Sequence, residues 1–191
     1  MVGAETRRFI GHLDVPLSPL GIAQVESLAR RLRGIAFEAI YCSDLTRTRH
    51  SAEILATPHQ LTPVHDPALR EFAMGQWDGL TAEQIRGLDP RAFDAWLADV
   101  GHFQFPGGES LPDLVARAVP AFEALVAQHA GRTVAVVAHG GSNRAILCHA
   151  LGLGPERLLA LGQDYAALSV LERRSGGRWA LRLLNHCEPL P

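Results

Sequence analysis

The sequence predicts an α/β fold in three layers, a mainly parallel sheet with helices on both faces. Three observations carry that prediction. Thr133-Val134-Ala135-Val136-Val137-Ala138 is a continuous apolar run, the pattern of a strand buried on both faces. Ala39-Ile40-Tyr41-Cys42 is a second, shorter run of the same kind. Stretches of helical periodicity alternate with these runs, and alternating β and α elements build a parallel sheet covered by helices.

Each element has its own signal. In Leu17-Ser18-Pro19-Leu20-Gly21, Ser18 is a cap residue and Pro19 suits the first helical position. Ile22, Val25, Leu28, Ala29 and Leu32 then form one apolar face, and Gly34 is expected to close that helix. The strand at 39–42 runs into Ser43-Asp44, with Asp44 able to cap a helix lasting to about Ala56. Residues 58–67 read as loop with room for a short strand. Residues 67–112 are richer in Gly, Pro, Asp and Trp, with a helix over 91–99, and read as an insertion over the sheet. Residues 114–128 form an amphipathic helix with Pro120 inside it. After the central strand, Ser142-Asn143-Arg144-Ala145-Ile146-Leu147 starts a helix with Ser142 as its cap. The runs at 168–172 and 179–184 flank Arg174-Ser175-Gly176-Gly177-Arg178 and read as a β-hairpin.

Composition narrows the classes of function. The 191 residues are 47% hydrophobic and 20% charged, the balance of one globular domain over 1–191. Formal net charge is −2, so no basic field draws nucleic acid or an acidic membrane. No apolar run approaches the roughly 20 residues that cross a bilayer. Met1-Val2-Gly3-Ala4-Glu5-Thr6-Arg7-Arg8 lacks the apolar core of a secretory signal. Cys42, Cys148 and Cys187 are odd in number and widely spaced, which fits a reduced, cytoplasmic protein. No Cys-x-x-Cys, His-Glu-x-x-His or carboxylate-rich loop points to a metal, and no cofactor is expected.

Three places could carry chemistry. His139 stands at the carboxyl end of the central strand, followed by Gly140 and Gly141 and then a helix. In open α/β sheets ligands bind at that edge, and a helix N-terminus favours an anion. A buried histidine tied off by a hydrogen bond is the plainer alternative. Arg47 falls in the first turn of the helix after the other strand, where its planar fork matches phosphate oxygens. With Arg49 close by, a solvated basic face is an equal reading. Glu71 lies among apolar residues in Leu69-Arg70-Glu71-Phe72-Ala73-Met74, a setting that can keep a carboxyl protonated for acid catalysis. A surface pair with Arg70 is the alternative there.

The order of these islands resembles the histidine phosphatase superfamily, the phosphoglycerate mutase-like proteins. The matching stretches are Arg8-Phe9-Ile10-Gly11-His12-Leu13-Asp14-Val15-Pro16-Leu17-Ser18 and Ser43-Asp44-Leu45 with Arg47. Leu69-Arg70-Glu71 with Gly75, Trp77 and Gly79 follows, then Pro106-Gly107-Gly108-Glu109-Ser110 and Ala138-His139-Gly140-Gly141 with Arg144. The resemblance implies a metal-independent hydrolase of a small phosphorylated metabolite, acting through a phosphohistidine. It implies that Arg47 is the second of two phosphate arginines, His139 the second of two pocket histidines, and Glu71 the proton donor. Ile10 and Gly11 would border the substrate, and the backbone of Gly140 and Gly141 would approach the phosphate. A phosphate monoester is doubly charged and its leaving group needs a proton, so cationic donors and an acid suit it. The chain resembles both α-ribazole phosphatases and the bisphosphatase domain of the bifunctional phosphofructokinase enzyme. A phosphatase is favoured over a mutase-like phosphotransferase, because 77–107 is short and shows no basic pair for a second acidic group. Substrate choice is expected from loops around 72–112.

One departure is large. The family's nucleophile lies in an Arg-His-Gly motif ending a first strand, shortly before the island at Arg8. That strand, the nucleophilic histidine and the first arginine are expected to be absent here. Arg49-His50-Ser51 is a decoy within a helix, and His12 falls past the expected position. Truncation and degeneration would both account for this, and the intact remaining islands favour truncation. The chain as given is expected to be inactive. A non-catalytic phosphate-binding protein is the rival reading.

Overall fold

The computed structural model describes Met1 and residues 8–190. Its elements are α1 (Pro19–Leu32), β1 (Ala39–Cys42), α2 (Thr46–Ala56), β2 (Val64–His65), α3 (Ala82–Leu88) and α4 (Pro90–Ala98). These are followed by α5 (Leu111–Gln128), β3 (Val134–Val137), α6 (Gly140–Leu151), β4 (Leu168–Arg173) and β5 (Trp179–His186). The first three strands form a parallel sheet in the order β2-β1-β3, and β4 and β5 form a separate antiparallel pair.

Strand alternation produces the three layers. Ile40 and Cys42 of β1 pack with Ala29 and Leu32 of α1 and with Ala52, Leu55 and Ala56 of α2, joined by Ala135 and Val137 of β3. The intervening residues Tyr41, Val134 and Val136 face the other way, onto Phe122 and Leu125 of α5 and Ile146 of α6. A third cluster is rich in aromatics. Trp77, Phe93 and Phe105 join Leu111 and Leu114 of α5 and Leu147 of α6, so the 72–112 stretch packs as a lobe on those helices.

The expected elements appear with shifted ends. Ser18 caps α1 through a bond from the Gly21 amide, as its sequence implies. That helix stops at Leu32, and Gly34 does not adopt the left-handed conformation of a closing glycine. Asp44 does not cap α2. The N-cap is Leu45, and Asp14 reaches in to accept from both the amide and hydroxyl of Thr46, each at 2.7 Å. A carboxylate at the helix start is favourable whichever segment supplies it. Asp44 instead makes a two-point pair with Arg70, Nε to Oδ1 being 2.6 Å. Ser142 is likewise one turn inside α6, where its Oγ accepts from the amide of His139, the N-cap.

β3 departs from the sequence reading in one respect. Its four residues are half-buried rather than enclosed on both faces. A cavity of about 1320 Å³ runs between the two sheets and is lined by the whole of β3 and the whole of β4. Among the described residues β3 pairs only with β1, and β4 only with β5. Each therefore has an edge on the cavity that no other described strand pairs.

Candidate active site

Arg47, Glu71, His139 and Gly140 line this cavity, as do Ile10 and Arg144, and a Cβ on Gly140 would lie 3.1 Å from Arg144 Nη1 and 3.6 Å from Glu71 Oε2. Their positions follow from the chain's turns. Parallel strands β1 and β3 end in register at Cys42 and Val137, so α2 and α6 begin side by side. Arg47 comes from the first turn of α2 and His139 from the cap of α6. Both are therefore at the carboxyl edge of the sheet.

Arg47 is 5% exposed. Its guanidinium donates to the carbonyls of Leu13 (3.0 Å) and Gly11 (2.7 Å). An arginine has five N–H donors, so these two bonds fix the fork and leave others for an oxyanion. Burial works against the charge, while the Glu71, Asp14 and Asp78 carboxylates favour it. The alternative of a solvated basic face fails for Arg47 and holds for Arg49, which is exposed.

His139 is also buried, with Nε2 2.7 Å from Ser43 Oγ. The Ser43 hydroxyl is in turn 2.6 Å from Thr48 Oγ1. Thr48 has backbone carbonyl acceptors for its own proton at Leu45 (2.9 Å) and Ser43 (3.1 Å). Thr48 therefore accepts from Ser43, and Ser43 accepts from the imidazole. That assignment places the ring proton of neutral His139 on Nε2. Burial holds the imidazole well below its ordinary value of 6.5, and the nearby charge of Arg47 adds to the effect. An incoming dianion would offset both causes.

Glu71 is buried and does not pair with Arg70. Its Oε1 accepts from the amides of Phe72 (2.9 Å) and Gly141 (3.0 Å), and its Oε2 lies 2.9 Å from the Gly141 amide. The carboxyl is thus oriented by backbone donors, not simply surrounded by apolar groups. Behind it Arg117 accounts for the loop's position. This side chain donates to the carbonyls of Ala68, Arg70 and Glu71 and pairs with both oxygens of Glu109.

Two glycines serve the site differently from the sequence expectation. The Gly141 amide is committed to Glu71, and neither Gly141 nor Gly11 lines the cavity. A Cβ on Gly141 would lie 2.1 Å from Glu71 Oε1, and one on Gly11 would lie 2.2 Å from the Phe72 carbonyl oxygen. Both are glycines because other protein atoms approach them closely. Gly140 does line the cavity, as does Ile10.

Sequence reasoning gave no role to Ser43 or Arg144. Ser43 directly follows a buried strand, a signal for its place at the sheet edge. Arg144 adds a second guanidinium close to Gly140, its Nε held by the Leu161 carbonyl at 2.7 Å. No position in 72–112 lines the cavity, whereas 163–169 do. That later loop, not the lobe, lines the cavity shared with Arg47 and His139. The His12 ring is held by the Glu71 carbonyl at 2.9 Å, and His50 lies within α2. No group of His, Cys, Asp and Glu among the described residues could hold a metal ion. No described helix is long and apolar enough to cross a membrane.

The model of the histidine phosphatase superfamily (branch 1) matches residues 2–186. The chain belongs to that superfamily. It is 32% identical over 180 residues to phosphoserine phosphatase 1 of Hydrogenobacter thermophilus, covering 94% of this chain and 85% of that protein. It is 25% identical to the adenosylcobalamin/alpha-ribazole phosphatase of Escherichia coli, covering 88% and 89%. It spans only 50% of the length of some other relatives, a bifunctional protein of Mycobacterium tuberculosis among them. The structure of mycobacterial glucosyl-3-phosphoglycerate phosphatase with inorganic phosphate is similar, with a TM-score of 0.82 and 34% identity over 95% of this chain and 92% of that one. Membership in this histidine phosphatase group agrees with the order of motifs in the sequence and with the parallel sheet.

Proposed function

We propose that the chain is a metal-independent phosphomonoester hydrolase by type, of the class that works through a phosphohistidine, with its substrate-binding and proton-donating groups in place. Its substrate is a small phosphorylated metabolite. The supporting observation is that Arg47, Glu71 and His139 meet on one cavity although 92 positions separate the first from the last. The names of the phosphatase relatives support the same reading. In it, Arg47 and Arg144 face the phosphoryl oxygens, His139 donates to one of them when protonated, and Glu71 protonates the departing alkoxide and later takes a proton from water. The chain acts as one domain over 1–191 in the cytoplasm.

His139 is tied to Ser43, so it is not placed as the attacking group. We therefore hold that the chain by itself turns over at no more than a trace rate. That same tie favours, as a second reading, a protein that binds phosphate without hydrolysing it. Joining an apolar strand that ends in Arg-His-Gly ahead of Met1 tests the first reading. The joined protein should hydrolyse a generic phosphomonoester without sensitivity to a chelator and trap acid-labile, base-stable phosphate. Equal turnover and equal trapping by the unextended chain would show that a nucleophile is already present. No turnover by either would favour the binding protein.

A further inference from the structure

The loop at 162–167 enters the cavity beside the proposed phosphate site. We infer that Tyr165 on this loop contacts the leaving group and selects phosphomonoesters whose leaving group is neutral and carries a flat ring. This inference rests on the phosphomonoester reading above.

Three independent features converge on that tyrosine. First, Gln163, Asp164, Tyr165 and Ala166 line the same cavity as Arg47, Glu71 and His139. Tyr165 is 55% exposed, so its ring is neither part of a core cluster nor covered by protein. Arg144 ties the loop to the site: its Nε holds the Leu161 carbonyl at 2.7 Å, and its Nη1 and Glu71 Oε2 would lie 3.1 and 3.6 Å from a Cβ on Gly140. Burial raises the phenol pKa, with Arg47 opposing and Glu71 adding.

Second, the loop is fastened in a costly conformation. Ala166 has φ 55° and Asn185 has φ 53°, left-handed values that residues with a Cβ rarely adopt. Asn185 clamps the loop from β5. Its Oδ1 accepts from the Asp164 amide at 2.7 Å, and its Nδ2 donates to Asp164 Oδ2 at 2.8 Å. The Ala167 amide closes the turn on the Asp164 carbonyl, and Arg144 holds the Leu161 carbonyl at its base. Strained backbone held by surrounding bonds concentrates where a side chain must be aimed. Here the aimed side chain is Tyr165, directly before Ala166.

Third, the loop's charge is one-sided. Residues 162–167 are Gly-Gln-Asp-Tyr-Ala-Ala, which contain a carboxylate and no cation. A leaving group with its own carboxylate meets no cation on residues 162–167, and Arg144 at the loop's base is taken up by the Leu161 carbonyl and, in the reading above, by the phosphoryl oxygens. A neutral ring gains a face to stack on, next to a site that holds its phosphoryl end.

The test is equilibrium binding by ligand-observed NMR, with inorganic phosphate, phenyl phosphate and phosphoglycolate as probes. The wild-type chain should bind phenyl phosphate more tightly than inorganic phosphate, and phosphoglycolate no more tightly than inorganic phosphate. Tyr165→Ala should weaken phenyl phosphate by roughly two- to tenfold, the range of one aromatic pairing, and leave inorganic phosphate unchanged. Tyr165→Phe should retain the preference, because the ring supplies it. Unchanged phenyl phosphate binding by Tyr165→Ala would overturn the inference while leaving the phosphate site intact. Equal loss of inorganic phosphate would overturn it too, since the tyrosine would then serve the site generally. Tighter binding of phosphoglycolate than of phenyl phosphate would overturn the neutral-ring specificity. Failure of both phosphate and phenyl phosphate to bind the wild-type chain would overturn the inference together with the phosphate site beneath it.

Discussion

Gly141→Ala adds one methyl group at the point where α6 meets Glu71. The new Cβ would lie 2.1 Å from Glu71 Oε1 and 2.7 Å from Phe72 Cδ2. Phe72 is buried against Phe105, so its ring has little room to retreat. Glu71 must move instead and lose the Gly141 amide. Overpacking of this kind costs about 1–3 kcal/mol. A lost hydrogen bond to a charged group costs about 1.5–3 kcal/mol. Alanine returns at most about 1 kcal/mol of helix propensity. The net effect is a destabilisation of about 1.5–6 kcal/mol, or at least about 3 °C in melting temperature for a chain of this size. Gly87→Ala is the control. It lies in α3 with nothing within 4 Å of its added Cβ, so it should be neutral or slightly stabilising. Urea and thermal denaturation of both variants check the argument. A Gly141→Ala protein as stable as its parent would refute the claimed contact between α6 and Glu71.

Further outcomes follow from the same geometry. Arg117→Ala removes the donor to the Ala68 and Arg70 carbonyls and the ion partner of Glu109, which keeps only the Ala73 amide, and should cost about 1–3 kcal/mol in urea denaturation. Acid should destabilise the protein in two ways. His139 is held below 6.5 in the folded state, chiefly by burial, so from about pH 6.5 downward the unfolded chain binds a proton that the native chain refuses. Glu109 is lowered in the folded state: burial raises it, but the Arg117 and Ala73 bonds outweigh that. Its contribution is complete above the unfolded carboxyl value and is lost as pH falls through the folded one. Urea midpoints should therefore fall on acidification, and His139→Ala should flatten the upper part of that fall. Finally, the edges of β3 and β4 that no other described strand pairs should make the chain poorly soluble and its thermal transition shallow. A sharp calorimetric transition at an ordinary temperature would contradict that.

Much of the fold was legible because strand burial leaves a plain pattern. The runs at 39–42 and 134–137 and the hairpin residues around Gly176 carry it, and local chemistry placed Ser18 correctly as a cap. The failures share a cause. Asp44 and Ser142 look like caps by neighbourhood, yet Asp14 and Arg70, distant in sequence, decide what Asp44 does and what caps α2. The roles of Gly11 and Gly141 are likewise set by atoms from another segment, the loop at 71–72. The half-exposure of β3 was hidden for the same reason. An apolar run shows a strand's wish for two buried faces and says nothing of what lies along its free edge. At the site, Arg47, Glu71 and His139 were candidates by residue type, with plainer readings open for each, and the order of motifs singled them out. Ser43 and Tyr165 were not candidates, because a serine after a strand and a tyrosine in a loop are unremarkable until a partner is seen.

The central claim is that Arg47 and His139 share one phosphate. Titration of inorganic phosphate into the chain, with the His139 ring nitrogens followed by NMR, tests it most directly. The account predicts that phosphate raises the His139 titration midpoint, because a dianion counters the burial and the Arg47 charge that lower it. It also predicts that Arg47→Ala greatly weakens phosphate binding and the accompanying shift. Phosphate that leaves the His139 ring unchanged, or that binds Arg47→Ala as well as the parent, would contradict the account.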